Sequence, residues 1–113
     1  MKYEDLRPIS KADAEHSLHT CSAEETASCL IRVALHDPDQ QWAERLLLRA
    51  IRDERVEVRA AAVTGLGHLA RIHRNISNAA FESLQQLRDS PLSGLVEDAL
   101  EEIVAFAKPT IED

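Results

Sequence analysis

DERVEVRAAAVTGLGHLARI, residues 53–72, is a run of small side chains with a regular apolar beat. Val58, Ala61, Ala62, Leu66, Leu69 and Ile72 recur at intervals of three and four, the spacing of one face of an α-helix. Val63 and Ala70 widen that face, so the spacing predicts a helix at 56–73 buried on more than one side. Gly65 and Gly67 lie inside it. A glycine in a helix interior costs about 1 kcal/mol against alanine, so close approach of neighbouring backbones has to offset two of them. The competing reading is a helix break near residue 65.

The same reasoning extends outward. Ser22 and Glu25 form a capping box ahead of Ala27, Leu30, Ile31, Ala34 and Leu35, which predicts a helix at 22–36. Asp37-Pro38-Asp39 ends it. A helix at 39–52 follows, with Trp42, Ala43, Leu46, Leu47, Ala50 and Ile51 as its apolar face and Arg45, Arg49 and Arg52 as a separate stripe. Asp53 is expected to cap the helix after it. Ser77 opens a helix at 78–88, and Asp89-Ser90-Pro91 breaks it, with Pro91 suited to a first helical position. A last helix at 92–107 carries Leu95, Val96, Ala99, Leu100, Ile103, Val104 and Phe106 inward and ends at Pro109. Residues 1–20 promise only a weak helix or turn, opened by Ser10 with Asp13 three residues on.

Val58 set over Leu95 starts an internal repeat. Arg59 then meets Val96, Ala62 meets Ala99, Val63 meets Leu100, Leu66 meets Ile103, Leu69 meets Phe106 and Ala70 meets Ala107. Each copy follows another helix, and a helix pair recurring at this period is the pattern of an α-solenoid. On Asp53, Val58-Arg59, Ala60–Ala62, Leu66-Gly67 and Leu69-Ala70 the chain resembles a HEAT repeat, in which a turn acid precedes a Val-Arg pair and a helix of small residues. The match is weaker at 89–107, where Val96 replaces the arginine, and indirect at 22–52. The resemblance implies an all-α fold: one domain, 1–113, a short right-handed α-α superhelix of about five antiparallel helices.

Composition agrees. Hydrophobic residues are 44% of 113 but aromatics only 4%, so a core of Leu, Ile, Val and Ala is expected. No apolar run suggests a membrane span or a leader, which points to the cytoplasm. Cys21 and Cys29, if on one helix, would stand about 12 Å apart, beyond disulfide reach, and Cys29 looks like a buried thiol. The net charge of −7 is uneven: residues 42–74 carry +3, residues 1–41 carry −4 and residues 89–113 carry −6. Nucleic acid is therefore an unfavoured partner for the chain as a whole.

Catalytic chemistry is not legible. His16, His19 and Cys21 form H-x-x-H-x-C, which matches no strong zinc spacing and reads as exposed histidines. His68 and His73 are five apart and do not share a face. His36 suits a helix C-terminus. GLGHLA lies mid-helix with no strand before it, so it is no phosphate loop. The chain reads as a non-enzyme with no cofactor and no metal.

Two surfaces remain. Glu97, Asp98, Glu101 and Glu102, with Glu112 and Asp113 beyond them and Asp37 and Asp39 near the N-terminal turns, form an acidic edge suited to a basic protein partner. Arg45, Arg49 and Arg52 are the alternative, a phosphate-gripping stripe, with pairing to Glu44, Glu54 or the acids of the next helix as the ordinary expectation. In being small, acidic, cytosolic and without chemistry of its own, the chain resembles bacterial immunity proteins, which are made beside a toxin and occlude its active site. That implies a cognate, basic, nuclease-like toxin as partner. The other readings are a HEAT-like adaptor in a larger complex and a nucleic-acid binder through the arginines. A monomer is favoured, because charged ends oppose pairing of stacks.

Overall fold

The computed structural model describes residues 7–107, and among them there are six α-helices and no strand. They are α1 (Lys11–Thr20), α2 (Ala23–His36), α3 (Gln40–Ala50), α4 (Val56–His73), α5 (Asn78–Gln86) and α6 (Ser93–Glu102), the last continuing into a π-helical turn, Ile103–Ala107. Pro109, Glu112 and Asp113 lie outside the described residues.

Local chemistry sets most boundaries. Ser10, Ser22, Asp39 and Ser77 each accept a hydrogen bond from the backbone N–H three residues on, satisfying a donor that the first helical turn leaves free. At α2 the box closes in both directions, Glu25 N–H donating to Ser22 Oγ at 3.1 Å and Ser22 N–H to Glu25 Oε1 at 3.2 Å. α4 ends on Arg74, whose left-handed φ of 58° directs its N–H back to the Ala70 carbonyl at 2.9 Å.

Helices of even number form one row, with α4 between α2 and α6. The odd-numbered helices pack on its other side, α1 against α2, α3 against α4 and α5 against α6. α4 thus meets neighbours on three sides. Its buried residues are Val58, Ala61, Ala62, Val63, Gly65, Leu66, Gly67, Leu69 and Ala70, and the helix runs unbroken through both glycines. A Cβ on Gly65 would stand 3.1 Å from both Leu47 methyls and 3.4 Å from Ala34 Cβ. One on Gly67 would stand 3.3 Å from Ala99 Cα and 3.4 Å from Ala99 Cβ. Glycine at these positions lets α3 and α6 close onto α4, and the competing reading of a break at 65 falls away.

Several expectations are corrected. Of the two readings of the first segment, weak helix or turn, the structure has the helix, ten residues long, because Ala14 and Ser17 bury against α2 although its apolar content is small. Asp53 does not cap α4, whose first flanking residue is Arg55 with no side-chain cap. Instead the Asp53 carboxylate takes the Arg55 backbone N–H and, through both oxygens, its guanidinium at 2.9 and 3.0 Å. That pairing holds the Asp53 carboxyl below the usual carboxylate range. Arg55 also donates to the Cys21 and Leu18 carbonyls, stapling the end of α1 to the α3–α4 turn.

Pro91 precedes the last helix rather than opening it, and α3 and α5 end early, in turns closed by i→i+3 hydrogen bonds at Arg52, Asp53, Leu87 and Arg88. Ile72, expected on the buried face of α4, is 40% exposed, one residue before the helix ends at His73. Leu95, Val104 and Phe106 are 37%, 71% and 38% exposed, because α6 has a neighbour on fewer sides than α4 and the π turn rotates the residues after 102. The internal repeat therefore matches in burial at Ala62/Ala99, Val63/Leu100, Leu66/Ile103 and Ala70/Ala107, and fails at Val58/Leu95, Arg59/Val96 and Leu69/Phe106. Cys21 sits in the α1–α2 turn, so the two cysteines do not share a helix. Both are free and half-buried, and burial pushes the Cys29 thiol up.

Candidate partner-binding surface

α6 buries Val96, Ala99 and Leu100, and the same period turns Glu97, Asp98 and Glu101 outward. Glu97 has Arg88 of the α5–α6 connection 4.0 Å away, an exposed pair worth little. Among the described residues, Asp98 and Glu101 have no cation within ion-pair distance. Glu102 leans toward α4, with its Oε1 3.5 Å from Arg71 Nε. That oxygen is fully buried and accepts no hydrogen bond among the described residues.

Asp37 and Asp39 behave differently. The Asp37 carboxylate accepts the Asp39 N–H at 2.8 Å and lies 3.3 Å from Lys11 Nζ. Asp39 accepts the Trp42 N–H at 3.1 Å and stands 3.7 Å from the same ammonium. Both acids hold the α2–α3 turn and share a cation. α4 separates α2 from α6, so the structure does not bring these two together with the four acids of α6.

Arg45 and Arg49 lie on the outer face of α3 and Arg52 in the turn after it, all three exposed. The expected pairing with Glu44 or Glu54 is not what forms. Glu44 turns inward, buried, and accepts from Gln40 Nε2 at 3.3 Å and from the Ser77 N–H at 3.1 Å. It thereby ties α3 to the start of α5. Arg49 reaches instead to Glu15 of α1 at 2.7 Å, and this hydrogen bond holds the Glu15 carboxyl below its ordinary range. Arg45 and Arg52 have no acid within ion-pair distance among the described residues. Arg45 and Arg49 flank a shallow groove of about 430 Å³ floored by Trp42, Leu46 and Leu48, with Lys11 Nζ 5.0 Å from the Trp42 ring centre.

A second groove, about 190 Å³, runs between α4 and α6. Thr64, Gly67 and His68 line one side, and Leu95, Asp98, Ala99 and Glu102 the other. His68 Nδ1 lies 3.2 Å from Arg71 Nη2. A guanidinium only donates, so Nδ1 is the acceptor and the imidazole is neutral. Burial first, and the Arg71 charge second, hold the His68 pKa below its ordinary value. Sequence reasoning missed this groove, since His68, Arg71 and Glu102 come together only when α6 closes on Gly67. It also missed Glu44, whose place four residues after Gln40 and between Ala43 and Leu46 was the available signal.

Among the described residues no group of three or more His, Cys, Asp or Glu is placed to hold a metal ion. No described helix is long and apolar enough to cross a membrane. No protein-family model matches the chain, and no curated protein matches it by sequence. Among solved structures the chain is similar to one in the crystal structure of a CDI complex from Cupriavidus taiwanensis LMG 19424. The two share 28% sequence identity, the alignment covers 94% of this chain and 97% of that one, and the TM-score is 0.78.

Proposed function

We propose that this chain is the immunity protein of a toxin–immunity pair of the contact-dependent inhibition type, binding a cognate basic toxin and blocking it. The reading is carried by the nearly end-to-end likeness, at 28% identity, to a chain of a CDI complex. The choice of the immunity half over the toxin half rests on charge and surface. The chain is acidic at −7, and α6 presents Glu97, Asp98 and Glu101, of which Asp98 and Glu101 have no cation within ion-pair distance among the described residues. Such a face suits a protein that binds phosphate and is basic for that reason, and it speeds and selects the encounter. Glu97, Asp98, Glu101 and Glu102 are the proposed contact, with Asp37 and Asp39 outside it. We read the helix rows as a HEAT-like stack in one cytoplasmic domain, with no catalytic role.

The test is co-expression with the toxin encoded beside this chain. Growth rescued by the chain, together with a 1:1 complex in which the toxin is inactive, is the expected result. Growth arrest by the chain expressed alone would assign it to the toxin half instead. The arginine stripe supports a second reading, since Arg45 lines the groove with Trp42 and, among the described residues, neither it nor Arg52 has an acid within ion-pair distance. Binding to DNA or RNA that weakens steeply with salt would favour it.

A further inference from the structure

We infer that the groove between α4 and α6 is the receptor for one cationic side chain, lysine or arginine, of the partner. The inference rests on the immunity reading for the partner's identity and on the groove's own geometry for its chemistry.

Four observations converge. The groove is a cavity of about 190 Å³, lined on its α6 side by Leu95 together with Asp98 and Glu102. Its floor is low because Gly67 has no Cβ and faces Ala99, which lets the two backbones meet there. A narrow slot with an apolar wall and carboxylates at its rim matches a long aliphatic stem carrying a charged head. The second observation is unspent acceptor capacity. Glu102 Oε1 is buried with no hydrogen bond, and Asp98 has no cation within ion-pair distance among the described residues. A donor entering the slot meets Asp98 and the exposed part of the Glu102 side chain, since Glu102 Oε1 itself has no accessible surface and faces Arg71. Third, the one histidine in the groove adds no opposing charge, because its Nδ1 accepts from Arg71. Arg71 itself approaches Glu102 from the side, at 3.5 Å, and is not among the residues that line the groove. Fourth, charge complementarity names the occupant. Glu97 and Glu101 stand on the same helix, and Asp98 and Glu102 line the slot, so an anionic side chain would enter against the field and an apolar one would leave the carboxylates without a counter-charge.

The slot sits within the acidic surface, where Asp98 is exposed and Glu102 half-buried until a partner's side chain desolvates them. Interfaces concentrate binding energy in a few such desolvated contacts, arginine prominent among them. The neighbouring acids Glu97 and Glu101 then steer the partner, and their removal changes association rate more than dissociation rate.

The experiment uses the full chain and a catalytically dead form of the toxin encoded beside it. Asp98→Asn and Glu102→Gln should each raise Kd by about tenfold or more, chiefly through faster dissociation. Thr64→Lys places a competing ammonium at the rim of the slot and should raise Kd further, with far-UV circular dichroism and melting confirming that it folds. Glu82→Gln on α5 removes the same charge elsewhere and should leave Kd within about twofold of wild type. If the toxin binds wild type and all four variants alike, the inference is overturned while the immunity reading stands. If the toxin does not bind wild type at all, an NMR titration with N-acetyl-arginine amide decides, with N-acetyl-leucine amide as control. Saturable shifts confined to Thr64, His68, Asp98 and Glu102, absent in Thr64→Lys, would uphold the slot for a different cationic partner. Shifts that are absent, or equal for the two amides, would overturn it.

Discussion

Gly67→Leu tests the central packing argument. Leucine in place of glycine recovers about 1 kcal/mol of helix propensity. Against that, its Cβ would stand 3.3 Å from Ala99 Cα, a backbone atom that cannot rotate away, and 3.4 Å from Ala99 Cβ. Carbon atoms prefer about 3.5–4.0 Å. Three further carbons must then enter the α4–α6 contact, where Glu102 Cγ already lies 3.6 Å from the Cβ position. Overpacking of this kind costs about 1–3 kcal/mol and more when backbone must move, so a net loss of about 2 kcal/mol is expected after the propensity gain. Gly67→Ala, with only the Cβ to place, should come out near zero. Gly94→Ala is the control. Nothing lies within 4 Å of a Cβ there and its φ is negative, so it should stabilise by about 0.5–1 kcal/mol. At about 4 °C per kcal/mol for a domain of this size, Gly67→Leu should lower Tm by about 8 °C and Gly94→Ala raise it by about 2–4 °C. Urea denaturation followed by far-UV circular dichroism measures both. Gly67→Leu as stable as wild type, or shifted in the same direction as Gly94→Ala, would refute close approach as the reason for the glycine.

Three further outcomes are expected. Ser22→Ala removes the capping box of α2 and should cost about 1 kcal/mol in urea denaturation; no loss would mean the turn preceding it is held by Arg55 alone. Glu44→Ala removes the acceptor for the Ser77 N–H and Gln40, and should cost about 1–3 kcal/mol, against less than about 0.5 for Glu82→Ala on the surface. Equal effects from the two would show that the α3–α5 tie carries nothing. For His68 the folded state refuses a proton that the unfolded chain accepts. Stability is therefore full above the unfolded pKa of about 6.5 and is lost as pH falls from there through the lower folded pKa. His68→Gln should flatten the Tm profile in that window, and an unchanged slope would place the proton uptake elsewhere.

Much of this architecture was legible because it is local. The serine and aspartate caps, the three-and-four spacing and the turn at Asp37–Asp39 are chemistry between near neighbours. They located α2 through α5 to within two residues at either end. α1 was underrated because its stability comes from burial of Ala14 and Ser17 and from the Arg55 staple across the α3–α4 turn, neither of which a short stretch advertises. Apolar identity also misled at the edge of the stack. Val104 is as hydrophobic as Val96, but one faces α4 and the other faces outward from a π turn.

The candidate surface divides in the same way. Outward placement of Glu97, Asp98 and Glu101 follows from helical period alone, since the residues that must be buried determine which remain. The fate of the other charges does not. Asp37 and Asp39 are absorbed by a turn and by Lys11, Arg49 by Glu15, and Glu44 by the start of α5. Each of these pairs joins residues whose distance depends on how helices cross. The sequence by itself determined five helical segments' worth of pattern, an acidic exposed face and a small-residue helix that demands close neighbours. Only the tertiary structure decided which neighbour closes on Gly67, and hence that Thr64, His68, Asp98 and Glu102 border one slot. Period and charge are properties of a segment, whereas a groove is a property of the space between two.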